Sequence, residues 1–262
     1  MNYGKKEVEK TLRKTNSRSQ KITSHLVLLL TKIILILVLF AAVLGISFGY
    51  GIFKGVIDAA PEIDVASIEP SGYATMVYDS KGNLTETLVK SGANRLEASY
   101  EELPQCLIDA FVAIEDSRFW SHKGVDVRSM VRAAVGIITG DSSAGGGSTL
   151  TQQLIKNITE DKDYSIKRKV NEIFRAFALE KEIDDKDRIL VMYLNTIYLG
   201  YNSYGVQTAA DRYFGKDVSQ LDLAECAVLA GLTNNPSIYD VYNHPDKVKS
   251  RQETCLLYTS DA

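Results

Sequence analysis

The run Ile33-Ile-Leu-Ile-Leu-Val-Leu-Phe-Ala-Ala-Val-Leu-Gly-Ile-Ser-Phe-Gly-Tyr-Gly-Ile-Phe53 carries no charge and is bounded by Lys32 and Lys54. As a helix rising about 1.5 Å per residue, it is long enough to cross the roughly 30 Å hydrocarbon core of a bilayer. A cleaved secretory signal has a shorter apolar core and a small-residue cleavage site. This run, with 32 residues ahead of it, therefore predicts an uncleaved anchor. Lys5, Lys6, Lys10, Arg13, Lys14, Arg18, Lys21 and Lys32 precede it, against only Glu7 and Glu9. Such an excess of Lys and Arg stays on the cytoplasmic side. The expectation is a basic cytoplasmic tail over 1–32, a transmembrane helix over 33–53 and a domain outside the cytoplasmic membrane. The bland alternative is a buried core helix.

The remainder of the 262 residues suffices for one domain of ordinary size. Hydrophobic residues at 45% and charged residues at 24% are ordinary for a globular chain. A net charge of −3 argues against a general nucleic-acid binder. The 3 cysteines (Cys106, Cys226 and Cys255) make no disulfide framework. Cys106 and Cys226 lie in apolar helical patterns, where buried free thiols are the expectation, with a pairing between them as the alternative in an oxidising compartment. The 3 histidines (His25, His122 and His244) lack metal-ligand spacing.

Residues 54–72, with Pro61 and Pro70, read as a juxtamembrane linker. From Tyr73 to Val89, β-branched and aromatic residues flank an Asp79–Asn83 turn containing Gly82, which predicts a β-hairpin. From Leu103 the pattern turns helical: Pro104 suits a first turn, and Leu107, Ala110, Phe111 and Ile114 share one face. Further helices are expected at about 126–139, 149–158, 165–183, 186–199, 204–213 and 219–233, the last with a capping box of Ser219 and Asp222. The outer domain is thus expected to be mainly α with one small β element.

Candidate chemistry concentrates in a few segments. Ile114-Glu-Asp-Ser-Arg-Phe-Trp-Ser-His-Lys-Gly-Val-Asp126 ends an apolar helix with two carboxylates beside aromatics and a histidine. An acid pair at a helix end is usually just solvated; packed against aromatics, it suits general acid or base work. Gly145-Gly-Gly-Ser-Thr-Leu-Thr-Gln-Gln-Leu-Ile-Lys-Asn157 is a glycine turn opening a helix, with Thr149 and Gln152 spaced as a capping box. Exposed N–H groups at such a start favour an anion, and Lys156 follows about two turns on. A phosphate or pyrophosphate site is the sharper reading and a flexible linker the blander one; the Gly-Lys-Ser/Thr ending of a nucleotide P-loop is absent. In Lys167-Arg-Lys-Val-Asn-Glu172, Arg168 and Lys169 share a face with Glu172. That spacing makes an exposed ion-pair stripe or a second site carboxylate held by a basic partner.

Taken together, these segments resemble the peptidoglycan glycosyltransferase domain of class A penicillin-binding proteins and monofunctional transglycosylases. The pattern Glu-Asp-x-x-Phe-x-x-His-x-Gly-x-Asp falls on Glu115, Asp116, Phe119, His122, Gly124 and Asp126. Gly-Gly-Ser-Thr-x-Thr-Gln-Gln-x-x-Lys-Asn runs from Gly146 to Asn157, and Arg-Lys-x-x-Glu falls on Arg168, Lys169 and Glu172. A fourth block is matched by Ile189-Leu190, Tyr193-Leu-Asn195, Gly200, Gly205, Ala209 and Tyr213-Phe-Gly-Lys216. The resemblance covers about residues 70–254. Departures sit at Val191, where the family usually has an acid, at Asp240-Val241 after Tyr239, and at Ser250-Arg251.

The resemblance implies a lysozyme-like α domain over 73–254 that polymerises lipid II, with a growing glycan chain on undecaprenyl pyrophosphate as donor and the lipid II 4-hydroxyl as acceptor. It implies Glu115 as general base and Glu172 as the second carboxylate. Lys156, Arg168 and Lys169 would neutralise the leaving pyrophosphate, and Thr149 and Gln153 would orient it or the sugar. Asp116, Phe119, His122, Ser148 and Asn157 would support them. No cofactor is essential to that chemistry, and a divalent cation, Mg2+ or Mn2+, at the pyrophosphate is compatible with it. The implied partners are lipid II, the lipid-linked glycan chain, the membrane and other cell-wall synthesis proteins. A lytic glycosidase on the same fold, with Glu115 as acid, and a non-catalytic wall-assembly scaffold are the competing readings. Residues 255–262 match the translation of a common transposon-end sequencing adapter, so they are expected to be a non-native tail on a longer natural protein.

Overall fold

Apolar residues recurring at helical spacing dominate the chain, and in the computed structural model helices form nearly everywhere that spacing occurs. The structure describes residues 4–15, 18–58, 73–88, 94–141, 146–159 and 166–260. Two units are distinguished, residues 1–59 and 60–262.

The first unit holds α1 (Lys5–Thr15) and α2 (Arg18–Asp58). The most apolar stretch of α2 is Thr23–Phe48, 26 residues with a mean hydropathy of 3.0 and none of its side chains buried. It starts ahead of the expected Ile33 because Leu26-Val-Leu-Leu-Leu30 is itself apolar, so that Lys32 falls inside the stretch. A long lysine side chain tolerates that position by carrying its ammonium toward the interface. The helix fits a single-pass membrane anchor. It also continues past Phe53 to Asp58, into the segment expected as linker, whose residues 59–72 lie outside the described residues.

The second unit opens with the expected hairpin, β1 (Thr75–Tyr78) antiparallel to β2 (Leu84–Leu88), with Thr75 opposite Leu88 and an irregularity between Val77 and Tyr78. Asp79 closes its turn by accepting from the Lys81 and Asn83 amides, both at 2.8 Å. Val89, at the end of the predicted hairpin, lies outside the described residues.

The helices that follow are α3 (Gln105–Glu115), α4 (Val127–Thr139), α5 (Leu150–Thr159), α6 (Ile166–Ile183), α7 (Lys186–Thr196), α8 (Val206–Phe214), α9 (Leu223–Leu232) and α10 (Pro245–Ser260). A single core joins Leu107 and Phe111 of α3 to Leu154 of α5, Leu179 of α6, Leu190 and Tyr193 of α7 and Leu229 of α9. Phe111 is wholly buried, and burial of a side chain that size stabilises by roughly 1.5–3 kcal/mol. α9 packs against both α3 and α10, and α5 against α6 and α7.

Helix ends depart from expectation where caps decide. The predicted helix over 219–233 is two elements: a short 3-10 turn at Val218–Gln220 capped by Asp217, then α9 capped by Asp222 with Glu225 in a reciprocal box. Ser219 bonds Asp217 at 2.6 Å instead of serving α9. The difference comes from Leu221, which turns into the core between the two elements. Helix α10 runs on through Ser260, past the boundary expected at 254, and buries Cys255 in the core.

Helix α4 leaves an apolar stripe uncovered. Val127, Val131, Val135 and Ile138 recur at helical spacing and are 52–84% exposed.

Candidate active site

Glu115 is the last residue of α3, half-buried. Its Oε2 accepts from Gln153 Nε2 of α5 at 2.7 Å, and its Oε1 accepts from the hydroxyl of Thr233, which follows α9. The Gln153 amide is itself oriented, because the Tyr193 hydroxyl of α7 donates to its Oε1 at 3.2 Å. Burial first, and then the charge of Glu115, push the Tyr193 phenol well above its ordinary range, so it stays a donor. The bond from Tyr193 orients the amide so that its N–H faces Glu115. Thr149 and Gln153 were expected to orient the pyrophosphate or the sugar; here the Gln153 side chain bonds Glu115 and Tyr193.

Asp116 turns the opposite way. It is 7% exposed, accepts from His122 Nε2 at 2.8 Å and from the Leu150 amide at 3.1 Å, and so caps α5 with a carboxylate. The box read from the sequence is present: the Thr149 amide donates to Gln152 Oε1 at 2.9 Å and the Gln152 amide to Thr149 Oγ1 at 3.2 Å. The expectation of exposed N–H groups at this helix start is therefore corrected. Thr149, Leu150 and Gln152 are buried, and the anion favoured at this terminus is Asp116. The Thr149 hydroxyl also donates to Gly124 O at 2.6 Å. Gly124 is required there, since its φ is +83 and an added Cβ would lie 2.6 Å from Ala176 O of α6. Phe119 is fully buried, edge-on to His122 and Trp120, with Lys186 Nζ 4.3 Å above its ring. It supports the His122–Asp116 contact, while the hydrogen bonds on Glu115 come from polar side chains.

One turn along α5 from Gln153 stands Lys156, on the same face and exposed. With Arg168, Glu172, Asn171 and Arg175 of α6 it lines one small recess between the two helices. Lys169 Nζ bonds Ser148 Oγ at 2.7 Å and pairs with Glu172, whose side chain is 6% exposed. Of the two partners that spacing allowed for Glu172, the ion pair found is with Lys169. Asn157, half-buried, follows Lys156. The glycine turn reaches α4 closely: a Cβ on Gly147 would stand 3.0 Å from that of Ala133, while Gly145 lies outside the described residues. Four cationic side chains, Lys156, Arg168, Lys169 and Arg175, thus gather around Glu172. Among the described residues no cluster of three His, Cys, Asp or Glu side chains is placed to hold a metal, and the Glu172 carboxylate is taken by an ammonium.

Sequence reading missed Tyr193, Thr233, Asn171 and Arg175. Tyr193 had a detectable signal, a hydroxyl at a core position of an apolar helix. It also missed Glu180 of α6, which is 7% exposed and accepts from Thr151 Oγ1 at 2.5 Å and Lys186 Nζ at 2.6 Å, fastening α5, α6 and α7 together. The fourth block supplies Tyr193 to the site and otherwise ties the fold together. Asn195 exchanges two hydrogen bonds with Ala98, at 3.0 and 2.9 Å, and Thr208 accepts from the Leu96 amide at 2.8 Å. A larger recess of roughly 620 Å³ lies beside Val191 and is lined by Glu97, Glu101, Asp185, Asp187 and Arg188. Its acidic wall repels a pyrophosphate, which sets it apart from the basic site.

A half-buried carboxylate with a cationic recess one helical turn of α5 away is an arrangement suited to group transfer. The sequence profile of the transglycosylase family matches residues 81–259, and the chain belongs to that family, the peptidoglycan glycosyltransferases that its sequence blocks resemble. It is 38% identical over 253 residues to penicillin-binding protein 1A of Clostridium perfringens, covering 94% of this chain and 30% of the relative. It is 40% identical over 232 residues to penicillin-binding protein 1F of Bacillus subtilis, covering 87% and 31%. A crystal structure of penicillin-binding protein 1A from Haemophilus influenzae aligns with 72% of this chain and 18% of its own, at 25% identity and a TM-score of 0.38. The chain spans about 30% of the length of these curated relatives.

Proposed function

We propose that this domain polymerises lipid II into glycan strands at the outer face of the cytoplasmic membrane. The observation that carries the proposal is the placement of Glu115 on Gln153 of α5, the helix whose next turn brings Lys156 beside Arg168 and Glu172. Glu115 takes the proton from the 4-hydroxyl of the lipid II acceptor as that oxygen attacks the anomeric carbon of the donor, with inversion. The bond to undecaprenyl pyrophosphate breaks on the opposite face. Lys156, Arg168 and Lys169 meet the charge developing on the leaving group with charge-assisted hydrogen bonds. Glu172 holds the Lys169 ammonium in place for this. A divalent cation carried in on the pyrophosphate would add neutralising charge, and the side-chain cations serve without it.

The anchor gives the reaction its address. A lipid-linked donor cannot leave the bilayer, so tethering the enzyme there raises the effective concentration of each for the other. The Lys and Arg excess ahead of α2 supports a cytoplasmic N-terminus, and the exposed stripe on α4 suits contact with the membrane surface.

The test is polymerisation of purified lipid II by the full chain and by Glu115→Gln. General base catalysis contributes about 10²–10⁴-fold, so the variant should fold normally and lose at least about a hundredfold in rate. Retention of more than about a tenth of the activity would remove Glu115 from that role. Release of fragments from finished, lipid-free peptidoglycan would favour hydrolysis instead.

A further inference from the structure

Thr233 stands where α9 ends, and its hydroxyl has one proton and two acceptors at hand. One is Ala230 O, at 2.7 Å on its own helix; the other is Glu115 Oε1, across the domain and 118 positions away in sequence. With Gln153 on Oε2, Thr233 completes a two-point hold in which each carboxylate oxygen of Glu115 gives up one lone pair. That fixes the carboxylate plane and leaves the second lone pair of each oxygen for an incoming proton.

We infer that Thr233 is a positioning residue for the transferase reaction, holding Glu115 in its ionised form and releasing it once Glu115 is protonated. The inference rests on the reading of Glu115 as the base. While Glu115 is charged, the bond from Thr233 is charge-assisted and wins the hydroxyl proton over the neutral Ala230 carbonyl. Once Glu115 has taken a proton, that advantage ends and the hydroxyl turns back to Ala230 O, a local bond of the kind threonine makes at helix ends. The hold on the base thus weakens as its proton transfer is completed.

The other groups around Glu115 keep one state through the transfer. From α5, Gln153 turns its N–H to Glu115, oriented by the bond from Tyr193. Among the described residues, Tyr193 of α7 and Cys255 of α10 feel the charge of Glu115. Burial holds the phenol well above its ordinary range and pushes the Cys255 thiol up to about 11, the latter against the nearby Arg251 guanidinium, so both stay neutral at working pH.

The experiment compares Thr233→Val, which keeps the shape and removes the hydroxyl, with Thr233→Ser, which restores it. Both are assayed on lipid II as the full chain, with kcat, KM and the pH dependence of kcat/KM. Thr233→Val should move the acidic limb upward by about one pH unit, the loss of one hydrogen bond to a charged group. It should also lower kcat about tenfold with KM nearly unchanged, as expected when only the aim of the base is lost. Thr233→Ser should return the limb to within about 0.3 unit of the parent, since it retains that bond. Thr233→Ala serves if the valine variant does not fold. If the limb stays in place, or if the serine and valine variants behave alike, Thr233 is only a helix-end residue and the inference is overturned. Glu115→Gln separates the two levels. An active Glu115→Gln enzyme sinks the base itself, whereas an inactive one beside an unshifted Thr233→Val sinks only the role of Thr233.

Discussion

Replacing Lys169 with methionine keeps the aliphatic stem and removes the ammonium that joins Ser148 to Glu172. Glu172 is then left 6% exposed without the partner to which it is ion-paired. Breaking a fully buried pair costs about 3–5 kcal/mol, while an exposed pair contributes about 0–1 kcal/mol. The Lys169 side chain is 38% exposed, so water screens part of the pair and the cost falls between those limits. We expect about 2 kcal/mol, the middle of that interval. For a domain of this size that lowers the melting temperature by about 4–8 °C. The double variant Lys169→Met/Glu172→Gln removes the orphaned charge and should recover at least half of the loss. Thermal unfolding of the full chain in detergent reads the stability, and lipid II polymerisation well below the melting temperature reads the chemistry. That rate should fall in both variants, because each lacks Lys169, one of the cations we propose for the leaving pyrophosphate. If the single variant melts like the parent, or the double variant is no better than the single, Lys169 does not hold Glu172 and the electrostatic account of the basic recess fails.

Two other outcomes follow from the same geometry. Burial acts to raise the Asp126 carboxyl, but hydrogen bonds from Ser129 and Arg118 outweigh it and bring the group down from 3.8 to about 2. A depressed value contributes stability that is complete above 3.8 and lost as pH falls through about 2. Asp126→Asn keeps a competent cap on α4, so it should cost about 1 kcal/mol at pH 7, and the deficit in urea unfolding should close as pH falls through that window. On α4, Val131→Lys/Ile138→Lys places charge on the exposed stripe. It should slow turnover of vesicle-embedded lipid II severalfold while changing turnover in detergent little, and equal losses in both media would contradict membrane contact.

The long apolar helix, the hairpin turn and the Thr149–Gln152 box were legible because each is a local matter. Apolar length, Asp79 with its turn, and two caps three residues apart need no knowledge of the rest of the chain. Even locally, competition was hidden: Asp222 and not Ser219 caps α9, because burial of Leu221 separates the two candidates. The anchor's extent slipped for a similar reason, since a charge at Lys32 looked like an end although apolar residues continue beyond it.

The residue types for the chemistry, two carboxylates and a set of cations in fixed order along the chain, were set by the sequence alone. Which group each carboxylate meets was decided by the tertiary structure. Glu115 and Asp116 are neighbours in sequence, yet Asp116 turns to His122 and the start of α5 while Glu115 is held from α5 and from the end of α9. Nothing in their spacing distinguishes them. Contacts spanning 38 and 118 positions form only when the buried faces of α3, α5, α7 and α9 close around one core, and hydrophobic burial drives that closure without regard to sequence distance.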